Sequence, residues 1–229
     1  MEMSKKIFIT GTGTEVGKTF VAGLMIKKLR ESGRDAAYFK AAMSGNVRRG
    51  DGTLIPGDAV WVKETAGIGQ PVEEMCPYIY ENAYSPHLAA RLEGNPVRMD
   101  VVKEWFGRTA ERYDYVTAEG SGGILCPICY GGEKIWLEDV IKELGLACIV
   151  VADAGLGTIN HTVLTAEYMH KKGIPVRGII FNRFHPGDIV EEDNIMMCRE
   201  RTGLKVLACV KDGDTQLEMD AEELEALYG

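Results

Sequence analysis

A glycine-rich loop carrying a lysine and a threonine follows the first apolar segment of the chain. Residues Gly11–Thr19 read Gly-Thr-Gly-Thr-Glu-Val-Gly-Lys-Thr, between a predicted strand, Lys6–Thr10, and a predicted helix, Lys18–Arg30. Backbone N–H groups in such a loop point at phosphate oxygens, aided by the positive end of the helix that follows. Lys18 can reach β- and γ-phosphates, and the Thr19 hydroxyl can bind Mg²⁺. The spacing therefore predicts a phosphate-binding loop.

The loop departs from the strict G-x-x-x-x-G-K-[ST] spacing. Thr12 stands where that pattern has its first glycine, and Gly11 comes one residue too early. The alternative is a glycine-rich turn with an incidental lysine. A strand before the loop and a helix after it favour the phosphate site.

A second lysine, Lys40, ends the next predicted strand, Ala36–Lys40. Ligands of parallel sheets bind beyond the carboxyl ends of the strands, so Lys40 is expected near the phosphate loop. There it could stabilise charge on a transferring phosphoryl group or on a substrate carboxylate. The alternative is a solvated lysine at a strand end.

Two carboxylates are candidates for binding a metal ion. Glu119 follows the predicted strand Asp114–Ala118, and burial of a carboxylate there is costly unless it is paired or binds metal. Asp58 opens a predicted helix, Asp58–Thr65, where it could equally be a helix N-cap. Mg²⁺ commonly takes one or two carboxylates together with phosphate oxygens.

Two further motifs follow later strands. Asn182 and Arg183 come after a predicted strand, and an Asn amide can read a purine edge or serve a turn. Cys126 and Cys129 form a single C-x-x-C without a second pair, so zinc is not predicted, although these thiols are expected near the ligand.

These residues need a scaffold that brings strand ends together, and the chain alternates strand-like and helix-like segments. The pattern predicts an α/β fold in one domain, residues 1–229, with a mostly parallel sheet covered by helices on both faces. The further predicted strands are Ala147–Ala152, Val176–Phe181 and Lys205–Val210. The further predicted helices are Pro86–Leu92, Met99–Arg112, Ile135–Leu144, Ile159–Lys172, Glu191–Arg201 and Ala221–Leu227. Arg48–Gly57 is expected to be a mobile loop beside the site.

Composition narrows the function classes. The 229 residues are 45% hydrophobic and 26% charged, which is typical of a globular protein. A net charge of −8 argues against sequence-independent nucleic-acid binding, which needs a basic face. The sequence contains no run of 18 apolar residues, so no membrane span is predicted. The apolar stretch after the N-terminus is too short for a signal peptide. We therefore expect a cytoplasmic protein that binds neither nucleic acid nor membranes.

Taken in order, these motifs resemble the dethiobiotin synthetase family, a P-loop family of ATP-dependent ligases. The phosphate loop, with its unusual extra residue, is similar to the one in that family, as are Lys40–Gly45 and Asn182. Further resemblances lie in Pro77-Tyr78, Ser85-Pro86-His87, Glu119-Gly-Ser-Gly-Gly123 and Leu156-Gly-Thr-Ile-Asn-His161.

The resemblance implies a reaction of 7,8-diaminononanoate, CO₂ and MgATP. It implies that Thr19, Asp58 and Glu119 bind Mg²⁺, and that Lys18 and Lys40 neutralise the phosphoryl group and a carbamate. It implies the nucleotide-binding residues Gly13, Thr14, Glu15, Val16, Gly17, Lys18, Thr19, Phe20, Asp58, Glu119, Gly120, Ser121, Gly122, Asn182 and Arg183. It implies the substrate-binding residues Thr14, Lys40, Ser44, Gly123 and Asn160, with Thr14 and Ser44 orienting the carbamate. It also implies a homodimer, in which the Gly157–Asn160 loop of one subunit lies near the substrate of the other.

The chain departs from the family pattern at Gly13, which replaces an Asp, at Ala41-Ala42, which replace a Pro-containing pair, and at Cys209–Asp212, which lacks a Pro. These changes spare the predicted charged ligands. They leave open two alternatives, a related ligase that acts on another amine substrate and a changed nucleotide preference. A switch ATPase of the partitioning or division-site type is a second alternative, although the signature lysine of that class is missing from Gly11–Thr14. An amide-forming cobyrinate synthase-like enzyme would need a glutaminase domain, for which there is no room. A non-catalytic nucleotide-binding module is a further alternative, although the intact Lys18, Lys40, Asp58 and Glu119 argue against lost catalysis.

Overall fold

The computed structural model describes residues 3–229 and is built around a six-stranded parallel sheet. Its strands are β1 (Lys5–Gly11), β2 (Ala36–Lys40), β7 (Tyr115–Glu119), β10 (Cys148–Asp153), β11 (Val176–Asn182) and β12 (Val206–Cys209). Three two-stranded pairs are formed by β3 (Ala42–Met43) with β6 (Tyr78–Ile79), β4 (Val47–Arg48) with β5 (Leu54–Ile55), and β8 (Pro127–Tyr130) with β9 (Lys134–Trp136). The helices are α1 (Lys18–Glu31), α2 (Gly57–Ala66), α3 (Pro86–Glu93), α4 (Met99–Arg112), α5 (Leu137–Leu144), α6 (Thr158–Lys171), α7 (Ile189–Thr202) and α8 (Ala221–Glu225).

The strand order of the central sheet is β12-β11-β10-β1-β7-β2. The sheet continues from β1 in one direction through β7 to β2, and in the other through β10 to β12. The crevice of such a sheet lies at the carboxyl ends of its central strands. This topology brings the loops after β1, β2, β7, β10 and β11 to one edge.

Helices cover both faces of the sheet, as the continuous apolar strands predict. Successive side chains of β1 point to opposite faces, so Ile7 and Ile9 pack with α1, α2 and α8, whereas Phe8 packs on the other side. That second core contains residues of α4, α5, α6 and α7. The predicted α/β class is therefore confirmed. Within residues 3–229, none of the helices combines the length and apolar character needed to cross a bilayer.

Two sequence-based predictions of local structure need correction. The predicted helix Ile135–Leu144 begins only at Leu137, because Lys134–Trp136 pairs with Pro127–Tyr130 in an antiparallel hairpin. The apolar spacing of α5 continues back into β9, which hides the strand, and Gly131–Gly132 marks the turn. The predicted loop Arg48–Gly57 contains part of the β4–β5 hairpin and ends in the first residue of α2.

Candidate functional site

The loop between β1 and α1 has the geometry of an anion site. Gly17 is the N-cap of α1, and among the described residues no side chain forms a cap hydrogen bond there. The first N–H groups of the 14-residue helix are thus available to an anion. Gly17 has φ 91°, and a Cβ on it would lie 1.9 Å from Asn182 Nδ2. Only glycine meets both conditions.

Lys18 bends back over this loop and is 6% exposed. Its Nζ donates to the Gly13 carbonyl at 2.8 Å. Burial lowers the pKa of Lys18 to about 8, with the attraction of Glu119 opposing the shift and the repulsion of Lys40 adding to it. A bound polyanion would favour the charged form of this lysine.

Lys40 lies between the two carboxylates that the sequence singles out. Its Nζ is 2.6 Å from Asp58 Oδ2 and 2.7 Å from Glu119 Oε1. Burial disfavours the charged form, but the attraction of Glu119 and Asp58 outweighs it and raises the pKa of Lys40 above its ordinary value. The two carboxylates therefore favour the charged form of Lys40, which is buried at this sheet edge and is not a solvated lysine.

Glu119 is 2% exposed, and three side chains donate to its carboxylate. Oε1 accepts from Lys40 and, at 2.9 Å, from Thr19 Oγ1, while Oε2 accepts from the Tyr38 hydroxyl at 2.7 Å. Tyr38 was missing from the sequence-based candidates. The sequence feature that could have revealed it is a tyrosine in a buried strand, two residues before Lys40. A buried phenol needs a hydrogen-bond partner, so Tyr38 must bond to a nearby polar group.

The donor set fits Mg²⁺. The Thr19 hydroxyl proton is directed to Glu119, which leaves the lone pairs of Oγ1 for a metal ion. Asp58 and Glu119 supply two carboxylates, joined through Lys40. In the part of the chain that the structure describes, no group of three or more His, Cys, Asp or Glu residues could bind a metal. Two carboxylates and a hydroxyl suit a hard cation that takes its remaining ligands from phosphates and water.

These groups open onto one cavity of about 1060 Å³. The predicted site residues that line it are Thr14, Glu15, Gly17, Lys18, Thr19, Phe20, Lys40, Ser44, Asp58, Glu119, Ser121, Gly122 and Arg183. The sequence-based candidates did not include Trp61 and Tyr84, which also line it. Trp61 lies one helical turn after Asp58, and that spacing is the signal that places both on one face of α2.

Six predicted site residues lie outside the lining of this cavity. Gly13 and Val16 line a smaller cavity of about 400 Å³ on another side of the phosphate loop. A Cβ on Gly120 would lie 2.7 Å from Leu137, and one on Gly123 would lie 3.4 Å from the Gly11 carbonyl oxygen, so both glycines allow close packing. Asn182 is buried behind the phosphate loop, and Asn160 is exposed in the first turn of α6.

Ser44 is held by the loop before α3. Its hydroxyl donates to the Tyr84 carbonyl at 2.6 Å. Because a serine hydroxyl has a single proton, Ser44 presents only acceptor lone pairs to the cavity. A substrate N–H group suits that position.

The two cysteines of the C-x-x-C motif have different surroundings. Cys126 lines the cavity, whereas Cys129 is buried in the core. Burial raises the pKa of Cys126 to about 11, with Lys18 and Lys40 opposing the shift. The Cys126 thiol is therefore neutral at physiological pH.

Comparison with known proteins identifies the family. A family model described as an AAA domain matches residues 5–216. The chain is 46% identical over 227 residues to the ATP-dependent dethiobiotin synthetase BioD of Brachyspira hyodysenteriae, covering 99% of this chain and 100% of that protein. Its identity to the protein of the same name from Clostridium perfringens is 45% over 228 residues, again covering 99% and 100%.

Solved structures share the fold at low sequence identity. A ParA family ATPase from Chlorobium tepidum superposes with a TM-score of 0.58 at 12% identity, covering 92% of this chain and 86% of that chain. A chain of the MinC:MinD cell division complex from Aquifex aeolicus gives 0.57 at 12%, covering 97% and 86%. These likenesses show the P-loop fold alone, whereas the near full-length relatives show that the chain belongs to the ATP-dependent dethiobiotin synthetase family.

Proposed function

We propose that this protein is an ATP-dependent ligase that forms dethiobiotin from 7,8-diaminononanoate and CO₂ in biotin biosynthesis. The observation that carries the proposal is the position of Lys40, bound by Asp58 and Glu119 in the same cavity as the phosphate loop. The names of the full-length relatives support this reaction.

The reaction has three steps. One amine of the substrate adds to CO₂ and gives a carbamate. The carbamate oxygen attacks the γ-phosphorus of ATP, which releases ADP and leaves a mixed carbamic–phosphoric anhydride. The second amine attacks the carbamoyl carbon, phosphate leaves, and a cyclic urea forms. Each step requires aligned reactants and stabilised negative charge.

The side chains of the cavity suit these requirements. Lys18 and Lys40 place two ammonium groups where charge develops on the transferring phosphoryl group and the carbamate. Thr19, Asp58 and Glu119 would hold Mg²⁺, which when bound neutralises the phosphate oxygens. Ser44 accepts from a substrate N–H group, because its own proton is directed to Tyr84. Thr14 lines the same cavity at the phosphate loop, where it can orient the carbamate.

The proposal includes a homodimer in which Asn160 reaches the substrate of the other subunit. Asn160 is exposed and lies outside the lining of the large cavity, which supports a contact with the other subunit instead of with its own substrate. The purine contact proposed for Asn182 would use its Oδ1, which is buried and has no hydrogen-bond partner among residues 3–229. Its Nδ2 donates one proton to the Val16 carbonyl at 3.1 Å.

One assay tests the activity. Purified protein is mixed with 7,8-diaminononanoate, bicarbonate and MgATP, and ADP and dethiobiotin are measured by mass spectrometry. We expect equal amounts of both products and no ADP without the diamine. ATP turnover that ignores the diamine would favour the switch ATPase, and turnover with another diamine only would favour a related ligase.

A further inference from the structure

Arg183 joins three loops at the carboxyl edge of the sheet. It follows β11, and its Nη1 donates to Asp153 Oδ2 at 2.8 Å, at the end of the neighbouring strand β10. Its Nη2 donates to the Glu15 carbonyl at 2.7 Å, in the loop after β1. The guanidinium thus connects the phosphate loop to the ends of β10 and β11.

The bond between Arg183 and the Glu15 carbonyl joins two residues whose backbone conformations are unfavourable for side chains with a Cβ. Glu15 has φ 62° and Arg183 has φ 56°, and within residues 3–229 these are the two left-handed residues other than glycine. Side chains with a Cβ disfavour that region. Such conformations persist where the surroundings hold them and are concentrated at functional sites. Asp153 is itself fixed, since its Oδ1 accepts from the Gly155 N–H at 2.8 Å.

The contact also determines where an N–H group points. The Glu15 carbonyl belongs to the same planar trans peptide as the Val16 N–H, and the two point in opposite directions. Fixing the carbonyl on Arg183 therefore fixes the Val16 N–H. In the next peptide, Asn182 Nδ2 donates to the Val16 carbonyl at 3.1 Å and so fixes the Gly17 N–H. Two consecutive residues of β11 and its loop thus orient two consecutive N–H groups of the phosphate loop.

We infer that Arg183 is a positioning residue, which orients the phosphate-binding backbone through the Glu15 carbonyl, with Asp153 holding its guanidinium in place. The inference rests on nucleotide binding by the phosphate loop. It replaces the expectation that Arg183 contacts the nucleotide itself. Direct contact is the competing model, because the Arg183 side chain is 43% exposed and lines the cavity.

Removing Asp153 separates the two models. If Arg183 acts through Glu15, Asp153→Asn loosens the guanidinium and weakens nucleotide binding. If Arg183 contacts the nucleotide, the same change frees a cation and leaves binding unchanged or tighter. Binding is measured as the Kd of ADP with Mg²⁺ by calorimetry, which does not depend on the ligase reaction. We expect Arg183→Ala to raise this Kd about tenfold, and Asp153→Asn about threefold.

Controls separate positioning from stability. Arg112→Ala removes another exposed ion pair, Arg112–Glu74 at 2.6 Å, and should leave the Kd of ADP unchanged.

In the ligase assay, Arg183→Ala should raise KM for ATP while kcat stays within about threefold, because Lys40 and Glu119 are untouched. An unchanged ADP affinity in Arg183→Ala, or in Asp153→Asn, overturns the inference. If Arg183→Ala does not fold, Asp153→Asn decides alone. Failure to form dethiobiotin would refute the proposed reaction without affecting the ADP measurements.

Discussion

Lys40 and Glu119 are register partners on adjacent parallel strands, and their side chains form a 2.7 Å ion pair at the carboxyl edge of the sheet. β2 and β7 lie about 75 residues apart in the chain and are joined by a long connection that contains several helices. The ion pair therefore forms only when these two strands pair in the sheet. Both residues are almost fully buried, so each depends on the other to offset the cost of its burial. The pair provides a fixed positive charge beside a carboxylate that can bind metal.

Lys40→Ala should lower kcat of dethiobiotin formation by at least about 100-fold, the scale expected for loss of one group that stabilises the transition state. The change also leaves Asp58 and Glu119 without the cation between them. Lys103→Ala is the matched control, because Lys103 pairs with Glu143 on the exposed surface. Near-normal turnover by Lys40→Ala would show that its ammonium group does not act in the chemistry.

Tyr38→Phe should raise the Mg²⁺ concentration for half-maximal activity about tenfold, because Glu119 loses the hydroxyl that orients its carboxylate. The control is Tyr80→Phe, since Tyr80 is also a fully buried tyrosine and donates to the Asn95 carbonyl at 2.6 Å. Each change should cost about 1 kcal/mol of unfolding free energy in denaturant titrations. The same Mg²⁺ dependence in both variants would remove Tyr38 from the metal site.

Gly17→Ala should abolish tight nucleotide binding, whereas Gly13→Ala should preserve it. A Cβ on Gly17 meets Asn182 at 1.9 Å with φ at 91°, and a Cβ on Gly13 meets nothing within 4 Å. Gly17→Ala should also lower the unfolding free energy by more than about 1 kcal/mol. ADP calorimetry on both variants checks this, and equal affinities would contradict the loop geometry.

Nucleotide binding should be coupled to protonation of Lys18 above pH 8. Burial lowers the pKa of Lys18 to about 8, so the free protein loses this charge as pH rises through 8, while bound phosphate restores it. The affinity for ADP should therefore fall by up to about tenfold per pH unit above 8. Calorimetry at pH 9 in buffers of different ionisation enthalpy should detect proton uptake, which should disappear at pH 6.5. No uptake at pH 9 would mean that Lys18 is already charged.

Lys18 should also affect stability, and in the opposite direction: the affinity for ADP falls as pH rises, whereas the free energy of unfolding rises. The pKa of Lys18 is lower in the folded protein than its ordinary value of 10.5, so its burial opposes folding while it is charged. Between about pH 8 and 10.5 the unfolded chain holds a proton that the folded protein has released. This group alone should make the free energy of unfolding rise with pH in that interval. Lys18→Met should remove that contribution in denaturant titrations at pH 8 and 10.

The fold class, the glycine-rich loop after β1 and the charged residues at the strand ends were predictable from the sequence. These follow from local information: apolar segments set the strands, and the Gly11–Thr19 spacing sets the loop. The β8–β9 hairpin was missed, since its short strand continues the apolar pattern of α5. Tyr38 was missed because a tyrosine in a buried strand has the same pattern as a core residue.

The contacts of these side chains follow from the packing of the whole chain. The ion pairs of Lys40, the hydroxyl bond from Tyr38 to Glu119 and the link from Arg183 to Glu15 each join residues distant in sequence. Such contacts depend on strand order and register, and residue type and spacing do not specify either. The sequence thus identified the groups capable of chemistry, whereas the sheet topology determined which of them meet in one cavity and which, like Asn182, lie outside its lining and bond to the phosphate loop.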